Sequence, residues 1–70
     1  MTAEFHLTVD IYTMPATIRA AEAFKDLCRV RIYPGNEETR VILEVPEQQA
    51  SVVDEFLNYA LALSAQESLS

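Results

Sequence analysis

The feature that most constrains this chain is a change of period near its start. Over residues 4–12, Phe5, Leu7, Val9 and Ile11 alternate with Glu4, His6, Thr8, Asp10 and Tyr12. Period two is the pattern of a strand buried on one face. Thr13 then offers an N-cap, and Pro15 suits the first turn of a helix. Ile18, Ala21, Phe24, Leu27 and Cys28 follow at helical spacing, with Arg19, Glu22, Lys25 and Asp26 mainly off that stripe. The spacing predicts an amphipathic helix reaching about Leu27.

Alternation returns at residues 29–33, where Val30 and Ile32 oppose Arg29, Arg31 and Tyr33. Pro34-Gly35 has the order of a type II turn. Over residues 39–45, Val41, Leu43 and Val45 oppose Arg40, Ile42 and Glu44, so the two strands should form an antiparallel hairpin. Pro46 ends this strand and can open a second helix, with Glu47 well placed in its first turn. Ser51 with Asp54 marks a second candidate start. The helix is expected to reach Ser64 or Gln66, and residues 67–70 to fray.

The element order is β-α-β-β-α. A first helix of about 13 residues spans roughly 20 Å, enough to cross back over a strand. The expectation is an α+β, two-layer sandwich with both helices on one face of a three-stranded sheet. The order 1-3-2 is favoured, a split β-α-β that looks like a ferredoxin-like fold without its last strand. The order 1-2-3 is the alternative.

Seventy residues, half of them apolar, allow one domain, with an ordered core expected over about residues 4–66. Cys28 is the only cysteine and His6 the only histidine, so an internal disulfide is ruled out and a Cys/His zinc site is disfavoured. Gly35 is the only glycine, which leaves no phosphate-cradling loop. We expect no catalytic site, no metal and no cofactor. Small domains without such staples often lean on another chain. A protein or peptide partner is therefore expected, with a homodimer as one form of it.

The net charge of −6 disfavours nucleic acid and anionic lipid. No apolar run approaches a membrane span. The N-terminal residues lack a basic segment followed by an apolar core. A cytoplasmic location is the expectation, and a lone thiol is ordinary there.

Two surfaces look unfinished. On the final helix, Val53, Phe56, Leu57, Ala60 and Ser64 suffice to cover the sheet, while Val52, Tyr59 and Leu63 widen the apolar arc. Those extra residues either pack against the first helix or meet a partner, and Val52, Phe56, Tyr59 and Leu63 are the candidates for the latter. The second surface is the sheet. Its outer strand is either a solvated edge blunted by Glu4 and Asp10 or an acceptor for another strand.

The open face brings together Arg29, Arg31, Arg40, Tyr33 and Tyr12. Arginine beside tyrosine suits single-stranded nucleic acid, and a small nucleic-acid-binding regulator is one alternative reading. It also suits an acidic partner patch. Because Glu4, His6, Asp10 and Glu44 project onto the same face, cross-strand ion pairs are the simpler expectation. His6 and Asp10, four residues apart on one strand, stand roughly 13 Å from each other, too far to bond. A site completed across an oligomer from His6, Asp10, Tyr12 and Arg31 is the remaining alternative. Cys28 is expected in the core.

Val9-Asp10-Ile11-Tyr12, Ile18, Ala20-Ala21, Phe24, Asp26 and Cys28-Arg29-Val30 form a pattern continued by Glu55-Phe56-Leu57-Asn58-Tyr59-Ala60-Leu61. In these residues the chain resembles the small HxsD-like proteins of His-Xaa-Ser peptide-modification systems. The last segment is similar to the family's Leu-Leu-Asn-Asp-Tyr-Leu-Arg-Glu signature, without its Arg-Glu end. The resemblance implies an accessory protein encoded beside radical-SAM maturases that act on a ribosomally made peptide, and it carries no catalytic residue onto this sequence. That the protein is non-enzymatic is the expectation from the absence of a catalytic constellation.

Overall fold

A computed structural model describes residues 1–69, with side chains through Glu67. The elements run β1 (Thr2–Thr8), α1 (Met14–Ala23), β2 (Arg29–Tyr33), β3 (Glu38–Glu44), a 3₁₀ turn (Glu47–Gln49) and α2 (Ser51–Leu69). The sheet has the order β1-β3-β2, with β3 antiparallel to both neighbours. The favoured α+β order is thus the one adopted, and α1 connects the two outer strands.

β3 supplies the floor of the core. Val41 and Leu43 have no exposed surface and Val45 almost none. Ala3, Phe5 and Leu7 of β1 and Val30 and Ile32 of β2 pack on the same side, and Phe24, Val52, Val53, Phe56 and Ala60 close the core from above. Phe24 and Phe56 meet edge to face, with ring centroids 5.6 Å apart. Such a pair adds to the burial energy of both rings.

β1 departs from its expected span. It begins at Thr2 and ends at Thr8, because the Thr8 carbonyl accepts the N–H groups of both Ile11 (3.0 Å) and Tyr12 (2.9 Å) and folds the chain into a turn. That turn reverses the side-chain phase. Ile11 is 56% exposed instead of inward. Tyr12 packs against the core instead of lying on the open face. Asp10 sits in the turn and is no longer part of the strand.

α1 is shorter than expected and rotated. Phe24 caps it, and tight i to i+3 bonds (Leu27 N–H to the Phe24 carbonyl, 2.9 Å) carry the chain towards β2. The inward row is Ala16, Ala20, Phe24 and Cys28, with Thr17 beside it, while Ile18 and Leu27 are 46% and 44% exposed. The expected stripe followed the largest apolar side chains. The observed one is set by α2, which packs directly on α1. Alanines with no exposed surface on both helices (Ala16, Ala20 and Ala60) suit that close approach.

Thr13 fastens this helix pair. Its hydroxyl accepts the Ala16 N–H (3.3 Å) and donates to the Glu67 carboxylate, and its own N–H donates to Ser64 Oγ (3.0 Å). Its carbonyl accepts both the N–H (3.0 Å) and the Oγ1 (2.9 Å) of Thr17. The start of α1 is thereby tied to the far end of α2, which holds the helix as far as Leu69 where fraying was expected. Ser70 lies outside the described residues. At the other end, Ser51 is the true helix start, and Pro46 introduces only the 3₁₀ turn.

Gly35 is not in a left-handed conformation, so the type II turn does not form. Glycine is needed for a different reason. A Cβ there would lie 2.3 Å from the Glu38 carbonyl oxygen.

Phe56→Ala should cost about 3–5 kcal/mol, against a total stability on the order of 5 kcal/mol for so small a domain. Urea titration followed by circular dichroism should show the variant with at most about 2 kcal/mol of stability left and its midpoint moved close to zero urea. Ser64→Ala, which leaves the Thr13 N–H without its acceptor, should lower stability by about 1–2 kcal/mol in the same assay.

Candidate functional interface

The strand register fixes the open face. Side by side across β1, β3 and β2 run Thr2–Glu44–Arg29, then Glu4–Ile42–Arg31, then His6–Arg40–Tyr33. Thr8 and Glu38 end the face. Arg29 pairs with Glu44 at 3.7 Å, and His6 Nε2 lies 3.1 Å from the Glu4 carboxylate. The Arg40 guanidinium stacks over Tyr33 at 4.6 Å from the ring centroid. Arg31, opposite Ile42, makes no ion pair among the described residues.

Among the described residues Arg29–Glu44 is a cross-strand ion pair of the expected kind, whereas His6–Glu4 lies within β1 and Arg40–Tyr33 is a cation–π contact. Three arginines share the face with Glu4, Glu38 and Glu44, so their charges cancel when His6 is neutral. A face without net positive charge, on a molecule of charge −6, attracts phosphate weakly. Of the residues placed here from the sequence, Arg29, Arg31, Tyr33 and Arg40 are present and exposed, and Tyr12 and Asp10 are not.

The helix candidates divide. Val52 (6% exposed) and Phe56 (0%) belong to the core and cannot meet a partner while the domain is folded. Leu63 is half-buried. Tyr59 remains 42% exposed, with its ring edge to face against Phe24 at 5.6 Å. Packing against the first helix therefore accounts for much of the wide apolar arc. Leu61, on the same helix and 41% exposed, was not singled out from the sequence, because its outward position follows from the rotation of the helix pair.

His6, Asp10, Tyr12 and Arg31 are not brought together. No hydrogen bond joins any two of them among the described residues, and the described residues enclose no pocket. They also contain no group of three His, Cys, Asp or Glu side chains able to hold a metal. No described helix is long and apolar enough to cross a membrane. Cys28 is buried, its Sγ lies 3.6 Å from the Phe24 carbonyl, and desolvation raises its pKa above the ordinary thiol value.

The remaining feature is the outer edge of β1. Val45 donates to the Met1 carbonyl (2.8 Å), the Met1 amino group donates to the Val45 carbonyl (2.6 Å), and Val9 donates to Glu37 (3.0 Å). These rungs put the odd-numbered residues of β1 in bonds to β3. By the alternation of an antiparallel ladder, the N–H and C=O groups of Thr2, Glu4, His6 and Thr8 point away from the sheet. The Thr8 carbonyl is taken by the turn. No strand covers the rest among the described residues.

Comparison with protein-family models, with curated proteins and with solved structures found no significant match to this chain.

Burial and the raised pKa predict an inert thiol. At pH 8, Cys28 in the folded protein should react with a disulfide reagent at least about tenfold more slowly than in the urea-unfolded chain. Equal rates would show the thiol to be accessible.

Proposed function

We propose that this domain is a non-enzymatic accessory protein that binds an extended segment of another chain along the outer edge of β1. The observation that carries the reading is the row of outward backbone groups at Thr2, Glu4 and His6. An uncovered edge strand is a template for one more strand. Backbone hydrogen bonds give affinity in this mode, and the side chains beside the edge select the sequence. Here Glu4 and His6 stand on the edge strand, with Arg40, Arg31 and Tyr33 further across the same face.

The resemblance to HxsD-like proteins suggests the setting: a cytoplasmic peptide-modification system in which the bound segment belongs to a precursor peptide or a radical-SAM maturase. A buried, reduced Cys28 fits that compartment. The nucleic-acid reading has no comparable support, because the charges of the arginine face are balanced.

The edge can be blocked without breaking the sheet. At Glu4 a proline removes an N–H that points outward, so the β1–β3 ladder keeps its bonds. Displayed nine-residue peptides panned on the sparsely immobilised protein should enrich on the wild type and not on Glu4→Pro. Amide exchange at Glu4 and His6 should slow when a selected peptide is added. Equal enrichment on both proteins, or unchanged exchange, would sink the reading.

A further inference from the structure

We infer that the β1 edge takes a second copy of this chain, antiparallel, with Glu4 of each copy opposite His6 of the other. This rests on the strand-binding reading above and names the occupant and the register.

Three observations converge on that register. The first is hydrogen-bond phase. Only the even-numbered residues of β1 turn their backbone groups outward, so two copies can pair only even residue with even residue. The second is the turn after Thr8. It occupies the Thr8 carbonyl and stops an incoming strand from sliding further along the edge. The third is charge. Sliding the pair to centre on Glu4 would set that carboxylate against its own copy, which is destabilising across a ladder. Centring it on Phe5 sets Glu4 against His6 twice, by symmetry, and Thr2 against Thr8 at each end.

The side chains suit this arrangement. The His6 imidazole already reaches the Glu4 carboxylate of its own strand, at 3.1 Å, so the two groups have the length and chemistry to meet. Arg40 faces His6 from β3, with Glu38 and Ile42 diagonal to it. In the pair, the row from Tyr33 through Arg40 and His6 continues into Glu4 and Ile42 of the second copy, placing a carboxylate next to His6. On the core side, Phe5 is only half-buried although it faces inward, because it stands on the outermost strand. Centring the ladder on Phe5 brings the two phenyl rings opposite each other at a non-hydrogen-bonded position, where strands approach closest. The two sheets then merge into one, with a two-fold axis at Phe5. Isologous pairing of this kind closes on itself and stops at a dimer.

Sedimentation equilibrium from about 10 µM to 1 mM tests the inference. The wild type should show twice the 7.9 kDa of one chain at the upper concentrations. Glu4→Pro should be monomeric. His6→Glu sets like charges opposite each other twice and should weaken the dimer by about tenfold or more. The double exchange Glu4→Lys with His6→Glu sets opposite charges against each other and should recover the dimer, which rules out misfolding as the cause of the single-variant loss. A wild type that stays monomeric at 1 mM overturns the inference. So does a dimer indifferent to Glu4→Pro or to the charge exchange, since it must then use another surface. Neither result touches the broader reading, which fails if selected peptides ignore the Glu4→Pro block or leave amide exchange at Glu4 and His6 unchanged.

Discussion

Everything in this domain depends on burying one face of β3. Among the described residues it is the only strand paired on both edges, and Val41 and Leu43 have no exposed surface. Phe56 and Ala60 of α2, also without exposed surface, complete the same core. A chain of 70 residues has little other apolar area to bury. Each outer strand is held by one neighbour and by its inward residues alone. The stability of the edges is therefore borrowed from the centre.

The helix layer follows from that demand. Two helices can cover a three-stranded sheet only by lying close together, and alanines at 16, 20 and 60 make room for it. The cost is that larger apolar residues of α1, Ile18 and Leu27, are turned outward. Thr13 fixes the result by bonding α1's first turn to Ser64 and Glu67. The long final helix is thus anchored at the end where an isolated helix would open.

Among the described residues, one sheet face and two strand edges remain uncovered. The face is polar and internally paired, through Arg29 with Glu44, His6 with Glu4 and Arg40 with Tyr33. Exposed pairs of this kind contribute little stability each, so the face is held by the core beneath it and is free to vary in chemistry. The β1 edge differs from the face in having backbone groups with no partner among the described residues. Its chemistry is directional and does not depend on any one side chain, which is why it carries the functional reading. In the proposed strand-binding mode, selectivity falls to Glu4 and His6.

Much of this was legible in the sequence. Alternation placed Phe5, Leu7, Val30, Ile32, Val41 and Leu43 inward, and Thr13 was readable as a cap, because both are local: they depend on period and on one side chain's reach. The order 1-3-2 was one of two open topologies. Three things were decided by tertiary structure alone. Where β1 ends was set by Thr8 accepting two N–H groups, which moved Asp10 and Tyr12 off the open face. Which side of α1 turns inward was set by the neighbouring helix and not by side-chain size. Whether Val52 and Phe56 belong to a partner or to the core was settled by packing. Hydrophobicity marks a residue as needing cover, and only the assembled fold says what covers it.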